Sequence, residues 1–264
     1  MPEILAAGSA PAALVTGASR GIGRAIARAL AERGVRIALH CNTQRASAEA
    51  VRAELAGRGH LVYSANLSDP VAAEKLWNEA TEAFGRVDIL INNAAVYLSH
   101  PLLATSYRDW QSAWSATLAT NLHGPANLSL LAAQAMAAAA PHDRGWGRGR
   151  IVNISSRGAF RGEPDAPAYA ASKAGLNALS QSLSRALAPS AVYFYCIAPG
   201  WVETEMAAAH LAGPGGAEIL AQHPLGRVAT AEEIASAAVF CALDAPAAMT
   251  GSIIDVNGAS YLRT

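Results

Sequence analysis

Short apolar runs alternate along the chain with longer stretches whose apolar residues recur at helical spacing. The runs are "AALVTG", "VRIALH", "HLVYSA", "VDILINNA", "RIVNISS", "VYFYCIA" and "SIIDVNG". Each is nearly continuous in Val, Ile, Leu, Ala or aromatic residues, the pattern of strands covered on both faces. Between them lie "GRAIARALAERG", "SAEAVRAELAGRG", "DPVAAEKLWNEATEAFG" and "AYAASKAGLNALSQSLSRALAP", each apolar at helical spacing and each ended by Gly or Pro. The alternation predicts βαβ units and an α/β fold: a parallel, seven-stranded sheet with helices on both faces. No internal repeat and no linker interrupts it, so residues 1–264 read as a single domain.

Two segments break the pattern. Residues 141–150, "PHDRGWGRGR", are rich in Gly and Arg and predict an exposed loop before a strand. Residues 199–227 follow a strand and contain several Pro and Gly, which predicts an irregular, mobile cover over a site at the strand ends. A third segment is unusual in charge only, since no Asp, Glu, Lys or Arg stands between Asp109 and His142. Gly124 and Pro125 interrupt it. The stretch after this pair, "ANLSLLAAQAMAAAA", is shorter than the roughly 20 apolar residues of a membrane-spanning helix, so a buried helix at a subunit interface is expected.

Composition narrows the partners. With 52% hydrophobic and 15% charged residues, the chain can bury a sizeable core. Its 20 Lys+Arg balance 20 Asp+Glu, leaving no electrostatic footprint for nucleic acid or an anionic membrane. Small molecules and copies of the chain itself are the expected partners. Cys41, Cys196 and Cys241 are odd in number and outside any CxxC pair, which argues against a disulfide framework or zinc site and fits a reducing cytoplasm. The N-terminus carries Glu3 and no basic cluster, unlike a secretory signal. Seven histidines lack metal-ligand spacing, and Trp77, Trp110 and Trp114 read as packing residues.

The stretch "ALVTGASRGIGRAIARAL" carries two overlapping signals. Gly17, Ser19 and Gly21 fit GxSxG, the elbow of a nucleophilic serine. Gly17, Gly21 and Gly23 instead form a glycine loop opening a helix, whose free amides and dipole bind a phosphate. A hydrolase needs preceding strands to supply its oxyanion loop, and only 18 residues precede Ser19. The phosphate reading is therefore preferred.

The glycine spacing, Thr16-Gly17-Ala18-Ser19-Arg20-Gly21-Ile22-Gly23, resembles the TGxxxGxG cofactor motif of the short-chain dehydrogenase/reductase family. "NNAA" at Asn92 to Ala95 is similar to that family's NNAG, with Ala in place of the last Gly. "PGWVET" resembles its PG motif, and "YAASK" its YxxxK, with Ser156 thirteen residues before Tyr169. Asn121 in "TNLHG" matches the asparagine that completes the family's tetrad. The resemblance implies a doubly wound Rossmann fold and a catalytic set of Asn121, Ser156, Tyr169 and Lys173. It places the cofactor against Gly17, Ser19, Arg20, Gly21, Ile22, Gly23, Asn42, Thr43, Asn66, Leu67, Asn93 and Ala94. Tyr169, Lys173, Pro199, Gly200, Val202 and Thr204 would complete that surface.

Ketone reduction needs a hydride and a proton for the developing alkoxide. Tyr169 and Lys173, four residues apart, share a helix face, and an ammonium there favours the phenolate needed for the reverse reaction. The resemblance gives Lys173 the nicotinamide ribose, Ser156 the substrate oxygen, and Asn121 a relay water. No acid stands between Arg36 and Glu49, where an NAD site would place one for the ribose 2′-hydroxyl. Arg20 and Arg45, with Asn42 and Thr43, suit a 2′-phosphate, so NADP(H) is expected over NAD(H). Members resembling 3-oxoacyl-acyl-carrier-protein reductase are the nearest pattern. Arg144, Arg148 and Arg150 are the one basic group suited to an acidic carrier, and Tyr195 stands where the family often has Asn. The resemblance also implies a homotetramer or homodimer in the cytoplasm. A non-catalytic NADP-binding sensor and a serine hydrolase are the competing classes.

Overall fold

The structure, a computed structural model, describes residues 10–142 and 145–263. Among them, seven parallel strands form one sheet in the order β3-β2-β1-β4-β5-β6-β7. These are β1 (Ala12–Val15), β2 (Arg36–Cys41), β3 (Leu61–Ser64), β4 (Ile89–Asn92), β5 (Gly149–Ile154), β6 (Val192–Pro199) and β7 (Ile253–Val256). Each lies within or beside an apolar run of the sequence. The order reverses between β1 and β4, and the crevice at such a reversal is where doubly wound sheets bind ligands.

The longer helices α1 (Gly21–Glu32), α2 (Arg45–Glu54), α3 (Pro70–Phe84), α4 (Tyr107–Leu118) and α5 (Gly124–Ala138) precede a short α6 (Gly158–Arg161). Then come α7 (Pro167–Leu187), α8 (Glu205–Ala212), α9 (Gly216–Ala221) and α10 (Ala231–Val239). Local chemistry sets their ends. Asp69 accepts the Val71 amide ahead of Pro70 to start α3, and Gly85 at φ 74° ends it. Thr230 and Glu233 form a reciprocal capping box at α10.

Successive strand residues serve opposite layers. Ala13 and Val15 pack with α1 and α10 residues such as Ile26, Leu30, Ile234 and Ala238. Ala12 and Leu14 pack on the other face with Leu76, Trp77, Leu128 and Phe194. This two-sided burial is the reason the strands read as unbroken apolar runs. Among the described residues, no helix is long and apolar enough to cross a membrane.

Three sequence expectations need correction. The 141–150 segment is not simply an exposed loop, because Trp146 is buried in the core and Gly149 and Arg150 already belong to β5. Nor do its described arginines form a basic patch. Arg150 is buried, donating to the Cys241 carbonyl at 3.0 Å beneath the Tyr195 ring. Arg148 donates to the carbonyls of Ala137 and Ala139, and Arg144 lies outside the described residues. Residues 199–227, expected to be irregular, contain α8 and α9. Alanine-rich turns such as "MAAAHLA" have enough intrinsic helix propensity to form between the Gly and Pro breakers.

Candidate active site

A cavity of about 430 Å³ runs along the C-terminal ends of the strands. Its lower wall is the turn from β1 into α1. There Gly17 and Gly21 adopt φ of 65° and 52°, a region that disfavours side chains. Gly23 lies behind the wall: a Cβ on it would press into the Gly17 carbonyl oxygen and the Asn93 amide. The turn is held from two sides. Thr16 Oγ1 donates to the Ile91 carbonyl and accepts the amides of Asn93 and Ala94. Asn93 Nδ2 returns to the carbonyls of Thr16 and Gly17 at 2.9 and 3.1 Å. Asn93 thus shapes the loop as well as lining the cavity.

No side chain caps α1, and Gly21 and Ile22, its first residues, line the cavity. An uncapped helix N-terminus beside glycines suits a pyrophosphate, so the residues present fit a dinucleotide. Ser19, Arg20, Asn42, Thr43, Asn66, Leu67, Ala94, Pro199, Gly200, Val202 and Thr204 line the same cavity. Arg20 is exposed at its rim and paired with Glu205 at 3.0 Å. Arg45 turns instead to Glu49 of its own helix and is absent from the cavity wall.

Ser156, Tyr169 and Lys173 line the same cavity as neighbours. Tyr169 and Lys173 stand one turn apart near the start of α7, and Ser156 follows β5. Burial pushes the Tyr169 phenol up to about 12 against a lowering hydrogen bond with Ser156; the nearby Glu163 adds to the rise. Lys173 is buried, its pKa pushed down to about 8, and its Nζ donates to the Ile154 carbonyl at 2.7 Å. The ammonium lies 5.7 Å from the Tyr169 ring centre. The direction is the opposite of the lowering expected from the lysine, because burial raises the phenol. A phenol at about 12 is protonated at neutral pH, the form that donates a proton to a developing alkoxide.

Asn121 does not reach the cavity wall. It sits in a π-helical turn, Ala119–His123, between α4 and α5. Its Oδ1 accepts the Val96 amide at 2.8 Å, and its Nδ2 donates to the Val96 carbonyl and to Ser172 Oγ. With its amide committed in this way, its side chain clamps the loop after β4 to α7, and Thr120 lines the cavity in its place.

Several lining residues were missed in the sequence. His40, buried at the end of β2, accepts the Gly17 amide at 3.2 Å through Nδ1 and contacts the Ala65 carbonyl at 2.9 Å through Nε2. Burial keeps its pKa low. Tyr97, Glu163, Trp201 and His210 also line the cavity, with Tyr97 edge-on to Tyr169. Tyr97 directly follows "NNAAV" and Trp201 lies inside "PGWVET", so their places beside known motifs were the available signal.

Known proteins resemble this chain over most of its length. A family model described as enoyl-(acyl carrier protein) reductase matches residues 17–259. The chain is 38% identical over 250 residues to the 3-oxoacyl-[acyl-carrier-protein] reductase FabG of Escherichia coli K12, covering 95% of this chain and 97% of that protein. It is 34% identical over 252 residues to the Staphylococcus aureus Mu50 protein of the same name, covering 95% and 98%. A crystal structure of a short chain dehydrogenase from Burkholderia cenocepacia J2315 in complex with NADP superposes with a TM-score of 0.83 at 30% identity, covering 95% of this chain and 97% of that one. The chain is an oxidoreductase and belongs to the short-chain dehydrogenase/reductase family.

Proposed function

We propose that the chain transfers a hydride between NADP(H) and a ketone or secondary alcohol, with Tyr169 as the general acid and base. The carrying observation is that Tyr169, Ser156 and Lys173 line one cavity together with the turn from Gly17 to Ile22. A nicotinamide bound between them would supply the hydride. Ser156 donates to the substrate oxygen as charge develops on it, and Tyr169 delivers its proton to that oxygen. Lys173 fixes the ribose and, with Asn121 holding the adjacent loop, keeps the end of the site in register. Two of the family's names differ in the bond reduced. Hydroxyls of Tyr169 and Ser156 converging on one point suit a carbonyl oxygen, which takes up charge directly.

Arg20 at the rim and the absence of an acid between Arg36 and Glu49 favour the 2′-phosphate of NADP(H), the ligand of the Burkholderia relative. A binding-only sensor has no need of Ser156, Tyr169 and Lys173 together. We further propose one domain spanning residues 1–264, a cytoplasmic homotetramer or homodimer, and α8 as a cover over the cavity. The test is NADPH oxidation with a ketone panel. Tyr169→Phe should cut kcat by at least about a hundredfold, and retained activity in that variant overturns the assignment.

A further inference from the structure

Four rings form a connected wall at the substrate end of the cavity. Tyr97 meets Tyr169 edge-on, ring centres 5.1 Å apart and planes at 60°. His210 meets Tyr97 at 5.8 Å and 83°, and Trp201 lies against His210 at 5.4 Å and 41°. All four line the cavity, with the Met206 thioether beside them. They come from the loop after β4, from α7 and from the β6–α8 segment, so three separate elements converge to place them. The contacts of Tyr97 are edge-to-face, a geometry that favours particular ring orientations, and together the rings make an aromatic surface beside Tyr169.

Glu163 lies 3.9 Å from Arg161, and Arg157 and Arg161 both donate to Gln222 Oε1 at 3.0 Å. A planar apolar group finds rings on this wall. Arg148 and Arg150, the described arginines that sequence had offered to an acidic carrier protein, lie at the start of β5, the opposite end from the cavity.

Resting on the reading of this site as a ketone reductase, we propose that its substrate is an aryl or ring-fused ketone. The ring packs on Tyr97, Trp201 and His210, and the substrate is not an acyl chain carried on a protein. The carbonyl of an aryl ketone is conjugated with its ring and lies near its plane. Seating the ring on the wall therefore orients the carbonyl toward Tyr169 and Ser156. In the reaction the carbonyl carbon gains a hydride, two electrons, from the reduced nicotinamide, and its oxygen gains the Tyr169 proton. The products are a secondary benzylic alcohol and the oxidised cofactor.

The test compares NADPH-dependent reduction of acetophenone and α-tetralone with that of the N-acetylcysteamine thioester of acetoacetate, using the purified full chain. The aryl ketones should show kcat/KM at least about tenfold above the thioester's, and Trp201→Ala and His210→Ala should each lower that ratio about three- to tenfold, through KM. His210 is exposed and Trp201 only half-buried, so truncation leaves the core intact. Preference for the thioester, or a ratio unmoved by both variants, overturns the proposal and leaves the reductase reading standing. Failure of every carbonyl to oxidise NADPH overturns both.

Discussion

His40 and Gly17 are joined across the strand ends: the glycine amide donates to His40 Nδ1, so Nε2 carries the ring proton and points to the Ala65 carbonyl. His60 repeats the arrangement at the other end of β2, with Nδ1 accepting the Ile37 amide and Nε2 against the Ala56 carbonyl. Both rings are needed neutral, and burial lowers both pKa values from 6.5. The unfolded chain binds protons near 6.5 that the folded chain refuses. Stability is thus full above that pH and falls as pH drops below it toward the lowered folded values. Thermal melts should show Tm declining from pH 6.5 to 5, with a shallower slope in His40→Asn. An equal slope in that variant would remove His40 from the account.

Lys173 is a buried ammonium whose charge burial disfavours. Its pKa of about 8 means that the unfolded chain binds the extra proton between pH 8 and 10.5, so stability contributed by this position rises across that window. Lys173→Met should abolish turnover while leaving Tm at pH 7 unchanged or higher, since a buried charge is removed and only the Ile154 carbonyl loses its donor. A Tm loss of more than about 5 °C would show the lysine to be a net structural support, by the usual conversion for chains of this size.

Gly23→Ala should cost about 1–3 kcal/mol by overpacking against the Gly17 carbonyl and Asn93. The same displacement would open the phosphate turn, so NADPH binding measured by fluorescence should weaken more than the melting point suggests. Near-normal NADPH affinity in this variant would contradict the role assigned to the turn.

Arg20 bridges the glycine turn to the first residue of α8 through Glu205, with both side chains exposed. An exposed pair contributes only about 0.2–1 kcal/mol, so a phosphate competes for the guanidinium at small cost. Arg20→Ala should raise KM for NADPH about tenfold and leave KM for NADH nearly unchanged. Glu205→Gln should lower KM for NADPH up to about fivefold, the gain from releasing that pair. Equal losses for both cofactors in Arg20→Ala would assign Arg20 to the shared pyrophosphate.

The strands and longer helices were legible because apolar periodicity reports burial on both faces directly. The glycine turn, Ser156, Tyr169 and Lys173 were legible because their spacing survives as a motif. The features that escaped reading depend on contacts distant in sequence. His40 acts on Gly17, twenty-three residues away, and no spacing marks that pair. The side chain of Asn121 pairs with Val96, twenty-five residues away, a contact set by the π-helical turn that no spacing in the sequence marks. Helices α8 and α9 were hidden by the Pro and Gly around them. Arg150 looked like surface charge because a cation beneath an aromatic ring has no sequence signature.

The three cysteines are all buried. Burial pushes the thiols of Cys196 and Cys241 up to about 11 and 12, which leaves almost no thiolate to oxidise or alkylate at neutral pH. Air and electrophiles should pass them by for as long as the sheet stays closed. Their count therefore says little about the compartment the chain inhabits, and the two thiols become clocks instead: the rate at which iodoacetamide labels them measures how often the core opens.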